Sequence, residues 1–369
     1  MVNQQNKKIA IVYDWIDKWG GVERILLMLH ELFPTANFYT SYFDPVGAPW
    51  AKDLDITTSF IQKLPKFIKK SRIASLLLYP YVFESFDFRE YDVVISVTSS
   101  FAKSIVTRPE TLHLCYLLTP TRYFWSHKNT YIKNPLAKFL TRPLLRNLQK
   151  WDFAAAQRPD KIVSISRTVR DRCDKYYDRQ SNILYPPFDT FYWKSIKAKP
   201  VNLPFEKYYL LVSRLESYKC VDLAINAFNK IGKNLVIVGT GTQKNYLKKQ
   251  VGKNIVFIER VDDQELVYLY EEAQALIMPQ EEDFGYVALE AQYFGLPTIA
   301  YRKGGATETV IGGITGIFFD TQSTDSLVTA VQEFDKSPLK KIDVKSYGKS
   351  NLMKFDRESW KKKFLEELQ

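Results

Sequence analysis

The feature that most constrains this chain is an alternation of short apolar runs with segments of helical period, carried through twice. Runs of four to six apolar residues read as strands at 9–13, 37–40, 93–97, 112–117 and 161–165. They recur at 209–212, 235–238, 255–258, 275–278, 298–301 and 316–319. Helical spacing fills the gaps, as at 264–273 and 286–294. Strands that are apolar on both faces and alternate with helices predict parallel sheets covered by helices, an α/β class. The two sets are separated by Tyr185-Pro186-Pro187-Phe188-Asp189. There Pro187 holds Pro186 extended, which predicts a stiff linker, followed by a start of the second domain near Pro200. A length of 369 residues suits two such domains. Two doubly wound sheets are expected to leave a cleft at their strand carboxyl ends, where sheets of this kind bind ligands.

With 46% hydrophobic and 25% charged residues, wholesale disorder is excluded. The three scattered cysteines, Cys115, Cys173 and Cys220, and a polar opening from Met1 to Lys8 point to a reducing cytoplasm with no export signal. No run approaches the ~20 apolar residues of a membrane span, and the best, 73–83, is broken by Pro80. The net charge of +11 asks for an anionic partner. Between Ile61 and Arg72 stand five basic residues (Lys63, Lys66, Lys69, Lys70, Arg72) and no acid. Ser126 to Lys150 holds six more, again without an acid. From Val261 to Glu290 the balance reverses, with nine acids and no Lys or Arg. Phe60, Ile61, Leu64, Phe67 and Ile68 interleave with the first lysines. That pattern fits either a solvated helix face or a helix lying on an anionic membrane, at about 1 kcal/mol per cation near the surface. No nucleic-acid motif accompanies the charge.

The densest chemistry lies between Pro279 and Ala291. The acidic loop Gln280-Glu281-Glu282-Asp283 follows an apolar strand and leads through Phe284-Gly285 into a helix that ends near Gly295-Leu296-Pro297. First-turn amides at such a start attract phosphate or a polar sugar, while carboxylates accept sugar hydroxyls. Amides flanked by Glu282 and Glu290 therefore describe a nucleotide-sugar site. Ser213-Arg214-Leu215-Glu216-Ser217-Tyr218-Lys219, after the strand 209–212, carries two cations five residues apart. Gly20-Gly21 follows the first strand and opens a helix; alone, it is equally a structural turn. Gly239-Thr240-Gly241 lacks the third glycine of a dinucleotide fingerprint. No Walker A sequence and no metal-spaced His or Cys cluster is present, the histidines being His30, His113 and His127. His113 reads as a structural residue inside a strand. Ser99 and Ser100, after the strand 93–97, suit ligand contact and ordinary loop capping equally.

Two glutamates separated by seven residues, then Ala291 and Gly295-Leu296-Pro297, resemble the E-x7-E signature of retaining glycosyltransferases of family 4. Gly20-Gly21-Val22-Glu23-Arg24, the segment from Tyr116 to Trp125, Trp151-Asp152 and Tyr185-Pro186-Pro187 extend the likeness over nearly the whole chain. It resembles most the mannosyltransferase branch that builds bacterial polysaccharides. The resemblance implies the GT-B fold: two Rossmann-like domains facing across a cleft, with a C-terminal helix returning to the first. The expected divisions are 1–190 for acceptor binding, 191–345 for the nucleotide sugar and 346–369 for the returning helix. It implies that Glu282 holds donor-sugar hydroxyls and Glu290 the ribose. The amides of Phe284, Gly285, Tyr286 and Val287 surround sugar and phosphates, Arg214 and Lys219 clamp the diphosphate, and the Gly21 amide faces it. Arg122 is the polar candidate for acceptor or phosphate contact. The sequence departs from the family at Asp283 and Cys220, where glycine is usual, and at Leu118, where many relatives carry histidine.

The implied function is retaining transfer of a hexose, expected to be mannose from GDP-mannose, to a hydroxyl of a lipid-linked glycan in cell-surface polysaccharide synthesis. The rivals are a UDP-sugar-dependent transferase of the same family, a related nucleotide-sugar epimerase, and a catalytically inactive GT-B partner subunit. No cofactor and no metal are expected. The expected partners are the nucleotide-sugar donor, the lipid-linked acceptor and an anionic membrane surface, with no nucleic acid. The expected location is the cytoplasm, peripherally at the inner face of the plasma membrane.

Overall fold

The computed structural model describes residues 7–72, 74–126, 135–339 and 341–369. The chain divides into two compact units, one formed by Met1–Pro186 with Glu358–Gln369 and the other by Pro187–Arg357. The division falls between the two prolines of the linker. Thr190–Ser195 already belongs to the second unit, where Trp193 is buried 6.5 Å from Tyr270 and 5.7 Å from Phe294, ring to ring.

The first unit carries a seven-stranded parallel sheet ordered β3-β2-β1-β4-β5-β6-β7. Its strands are β1 (Ile9–Tyr13), β2 (Asn37–Thr40), β3 (Ile56–Thr58), β4 (Val93–Thr98), β5 (Leu112–Leu117), β6 (Lys161–Ser164) and β7 (Asn182–Ile183). The sheet starts at its centre, grows to β3, then reverses to β4. β1 and β4 are buried along their whole length, as their unbroken aliphatic runs require. The edge strands β3 and β7, two or three residues long and only partly covered, are additions to the sequence reading.

The second unit repeats the design with six strands ordered β10-β9-β8-β11-β12-β13. These are β8 (Tyr209–Val212), β9 (Leu235–Val238), β10 (Ile255–Ile258), β11 (Leu276–Met278), β12 (Thr298–Tyr301) and β13 (Gly316–Phe319). Tyr209, Leu211, Ile225, Phe228, Leu235 and Ile237 anchor one core layer. The strand order reverses between β8 and β11, which pair through Leu210 and Leu276. The loops leaving those two strands are thereby set side by side, at the point where such sheets hold ligands. Both sheets are doubly wound, as expected of the GT-B class.

The C-terminal segment is split between the units. Lys341–Leu352 lies on the helix Tyr286–Tyr293, with Asn351 Nδ2 donating to Gln292 Oε1 at 2.8 Å. In Arg357–Glu367, Trp360 and Phe364 pack edge-on to Tyr116 of β5, both at 6.1 Å between rings. Lys161 Nζ donates to the Glu367 carbonyl at 3.0 Å.

The basic segment after Phe60 differs from expectation. It forms two short turns, Phe60–Lys63 and Lys66–Lys69, broken at Leu64-Pro65, instead of one amphipathic helix. Ile61 is fully buried. Two of its five charges meet acids distant in sequence: Lys70 pairs with Asp44 at 2.8 Å, and Arg72 with Asp17 at 3.2 Å while stacking over Trp15 at 4.0 Å. The second basic stretch, 126–150, lies partly outside the described residues. No helix among the described residues is long and apolar enough to cross a membrane.

His113 lies inside β5, fully buried, with Nε2 2.8 Å from Ser96 Oγ. Burial first, then the charges of Arg158 and Arg179, hold its pKa down to about 3. Its ordinary value is about 6.5, so the neutral ring favours the fold fully above that pH. This contribution is lost as pH falls from about 6.5 towards about 3, at up to ~1.4 kcal/mol per pH unit. Urea unfolding of the intact chain and of His113→Gln between pH 7.5 and 5 tests this: the variant loses less stability on acidification, and parallel curves contradict the assignment.

Candidate functional site

In the second unit, the loop after β8 is pressed flat against its neighbours. Leu215 is buried and its amide donates to the Thr240 carbonyl at 2.9 Å. A Cβ on Gly239 would lie 1.9 Å from the Ser213 carbonyl oxygen, and one on Gly241 2.5 Å from that of Leu215. The Gly239-Thr240-Gly241 turn therefore exists for close backbone contact. Arg214 is exposed and donates from Nη2 to Tyr218 Oη at 2.8 Å. Lys219, at the end of the turn Ser217–Lys219, is buried with Nζ 2.5 Å from Glu282 Oε1 and 5.5 Å from the centre of the Tyr218 ring. Cys220 follows in the left-handed conformation, φ 50°. The chain thus keeps the backbone turn that glycine favours while carrying a side chain there. Gln322 Nε2 reaches both the Cys220 Sγ, at 3.2 Å, and the Pro279 carbonyl, at 2.9 Å, and so bridges the two loops.

The loop after β11 supplies the other half. Gln280 Nε2 donates to Glu282 Oε1 at 2.7 Å. The Glu282 carbonyl accepts from the Gly305 amide at 2.7 Å. Cβ atoms on Gly304 and Gly305 would each come within 2.3 Å of the Glu282 and Phe284 carbonyl oxygens respectively. Phe284 is buried against Phe355, 5.4 Å between rings. Gly285, at φ 92°, turns the chain into the helix Tyr286–Tyr293. The first turn, which includes half-buried Val287, lies at the positive end of that helix. Tyr286 Oη donates to the Pro187 carbonyl at 3.1 Å. Glu290 sits one side of that helix, 6% exposed, and its Oε2 accepts from Tyr270 Oη at 2.8 Å. The structure thus brings Lys219 and Glu282 into contact, leaves Arg214 on the same loop through Tyr218, and places Glu290 deeper.

The first unit holds the remaining candidates. Gly21 opens the helix Gly21–Leu32; Gly20 before it is extended, which any residue tolerates. Glu23 is buried with Tyr13 Oη 3.4 Å from its Oε1, and burial raises its pKa. Arg122 is half-buried in the loop after β5, and Leu118 is buried, its amide donating to Thr98 at 2.8 Å. Ser99 gives its amide (2.7 Å) and hydroxyl (3.3 Å) to Asp14. Ser100 is buried, its carbonyl accepting from Lys103 Nζ and lying 2.8 Å from Thr121 Oγ1.

Sequence reading passed over two buried carboxylates that shape these loops. Asp14, fully buried at the end of β1, accepts from Thr98 Oγ1 (2.8 Å) and the amides of Phe101 (2.7 Å) and Ala102 (2.8 Å). Asp152 is 2.6 Å from Lys103 Nζ and accepts from Thr121 Oγ1 (2.8 Å), Trp125 Nε1 (2.7 Å) and Tyr177 Oη (2.9 Å). The only sequence signal for either was the family-like Trp151-Asp152 pair. Gln280 and Tyr270, the partners of Glu282 and Glu290, carried none.

The left-handed turn at Cys220 yields a stability test. A non-glycine side chain there costs ~1–2 kcal/mol, and a β-branched one more. Urea unfolding is expected to place Cys220→Gly within about 1 kcal/mol of the intact chain and Cys220→Val about 1–3 kcal/mol below it. Equal stability of the two variants contradicts the backbone assignment.

Residues 194–351 match the family described as Glycosyl transferases group 1. The chain is 31% identical over 193 residues to the glycogen synthase of Mycobacterium tuberculosis, covering 48% of this chain and 46% of that protein. It is 32% identical over 145 residues to a GDP-mannose-dependent alpha-(1-6)-phosphatidylinositol monomannoside mannosyltransferase of Mycolicibacterium smegmatis, covering 34% and 38%. The chain thus spans about half the length, or less, of these curated relatives. In three dimensions it resembles Anabaena Alr3699/HepE, solved in complex with UDP and glucose, with a TM-score of 0.70, 18% identity, and 98% and 99% of the two chains covered. The segment 194–351, with both loops of the candidate site, therefore carries the glycosyl transferases group 1 signature on a chain of GT-B fold.

Proposed function

We propose that the protein is a retaining glycosyltransferase that moves a hexose, mannose from GDP-mannose, to a hydroxyl of a lipid-linked glycan. The observation that carries this reading is the Lys219–Glu282 pair, which joins the loops of β8 and β11 where the strand order reverses. Lys219, with Arg214 on the same loop, would neutralise the charge that grows on the departing diphosphate. Fixed cations suit that task because they need no reorganisation as the bond breaks. Glu282 would hold hydroxyls of the transferred sugar, and Glu290 those of the ribose. First-turn amides of Tyr286–Tyr293, Val287 among them, would receive phosphate oxygens. A donor phosphate oxygen on the leaving face would take the acceptor's proton, so that attack and departure share one face of the sugar. This path asks for no protein nucleophile and suits a loop with Leu118 where relatives carry histidine. Similarity to the mycolicibacterial mannosyltransferase supports the choice of GDP-mannose.

A UDP-sugar donor is the second reading, favoured by likeness to a structure solved with UDP and glucose. A membrane-borne acceptor is supported by exposed Phe60 and Phe67, the latter 72% exposed, beside Lys63 and Lys66. The first unit would then present its basic face to anionic lipid.

A thermal-shift panel with GDP, UDP, ADP and their sugar forms, run beside a transfer assay, tests the reading. A ligand at 100 times its dissociation constant stabilises by about 2.7 kcal/mol. The expected shift is with GDP and GDP-mannose, and Lys219→Met is expected to lower kcat by roughly a hundredfold or more. A shift with UDP and its sugars alone overturns the donor. No shift with any nucleotide, or wild-type turnover in Lys219→Met, overturns the site.

A further inference from the structure

Gln280 stands two residues beyond β11, after Pro279, and is 3% exposed. Its amide nitrogen donates to Glu282 Oε1 at 2.7 Å, the same oxygen that lies 2.5 Å from Lys219 Nζ. The Gln280 carbonyl oxygen, by contrast, is buried with no hydrogen-bond partner among the described residues. Turning the amide over would set that oxygen against the Glu282 carboxylate, so the carboxylate dictates the orientation. A buried acceptor without a partner is unfavourable, and methionine, of similar length, would fill the space without one. A glutamine kept against its own local preference marks a position held for its neighbour's sake.

The terminal torsion of a glutamate is broad, so each donor on its carboxylate narrows the range it can take. Gln280 adds a donor on the same oxygen that Lys219 meets, from a residue next to Pro279, whose carbonyl accepts from Gln322. We propose that Gln280 is a positioning residue that holds the Glu282 carboxylate on the Lys219 ammonium in the one geometry that meets the transferred sugar. This inference rests on the reading of Lys219 and Glu282 as donor-site residues.

The test uses the full chain and its Gln280→Met, Gln280→Glu and Glu282→Gln variants. The readouts are the melting temperature, the pH profile, and nucleoside diphosphate release from GDP-mannose, with UDP-glucose in parallel. Gln280→Met is expected to melt at or above the temperature of the intact chain while kcat falls at least about fivefold. Gln280→Glu is expected to regain activity as pH falls, because a protonated carboxyl again offers Glu282 a donor. A kcat loss below about fivefold in Gln280→Met overturns the inference. So does a fall in melting temperature of more than about 3 °C, which makes the glutamine structural, and so does a Gln280→Glu pH profile parallel to that of the intact chain. Full activity in Glu282→Gln, or no release by the intact chain, overturns the donor-site reading itself. An impaired Glu282→Gln beside an unimpaired Gln280→Met sinks only the role of Gln280.

Discussion

An ammonium and a carboxylate 2.5 Å apart, with side chains only 11% and 16% exposed, are the contact on which the second unit's loop geometry turns. Taking two charges out of water costs several kcal/mol per ion, and their attraction does little more than offset it. Stability alone is therefore a weak reason for such a pair. The surrounding backbone is arranged to hold it nonetheless. Gly239 and Gly241 let the Lys219 loop lie on its neighbour, and Gly304 and Gly305 do the same for Glu282. Four positions without a Cβ, drawn from two separate turns, serve the loops of these two side chains. The reversal of strand order between β8 and β11 makes the convergence possible, because it places the carboxyl ends of those strands side by side.

The first unit solves a related problem with buried carboxylates. Asp14 gathers amides and hydroxyls from the loop after β4, and Asp152 ties Lys103, Thr121, Trp125 and Tyr177 into one cluster. Each carboxylate is fully buried, and each is matched by several donors, which is the condition under which a buried charge is tolerated. Their effect is to fix loops at the carboxyl ends of β1, β4 and β5, including the segment that carries Arg122. Ser99 donates to Asp14 and the Ser100 carbonyl accepts from Lys103 within this scaffolding.

Much of the fold was legible because parallel strands buried on both faces leave an unbroken apolar run. Eleven of them, such as 9–13, 209–212 and 316–319, were located with their full extent or within a residue of it. β3 and β7 were not, since two or three half-covered residues at a sheet edge leave no period to read. The segment after Phe60 misled for a different reason. Its lysines look unopposed along the chain, yet Asp17 and Asp44 meet Arg72 and Lys70 in space, and Pro65 ends the helix that the apolar spacing suggests. At the site, the charged residues Arg214, Lys219, Glu282 and Glu290 stood out in sequence because their types announce chemistry. Gln280 and Tyr270 did not, because a neutral partner gains its meaning only from the tertiary contact it makes. Cys220 shows the converse: sequence marked it as a departure from glycine, and the left-handed backbone shows that the turn itself is kept.

The most direct single measurement is a crystal structure of the chain soaked with GDP, with UDP as the parallel soak. The expected result is a diphosphate within hydrogen-bond reach of Lys219 and Arg214, its ribose hydroxyls against Glu290, and Glu282 left facing the place of the sugar. A nucleotide bound elsewhere, with its phosphates away from both the Lys219 loop and the start of Tyr286–Tyr293, would contradict a donor site built on the Lys219–Glu282 pair.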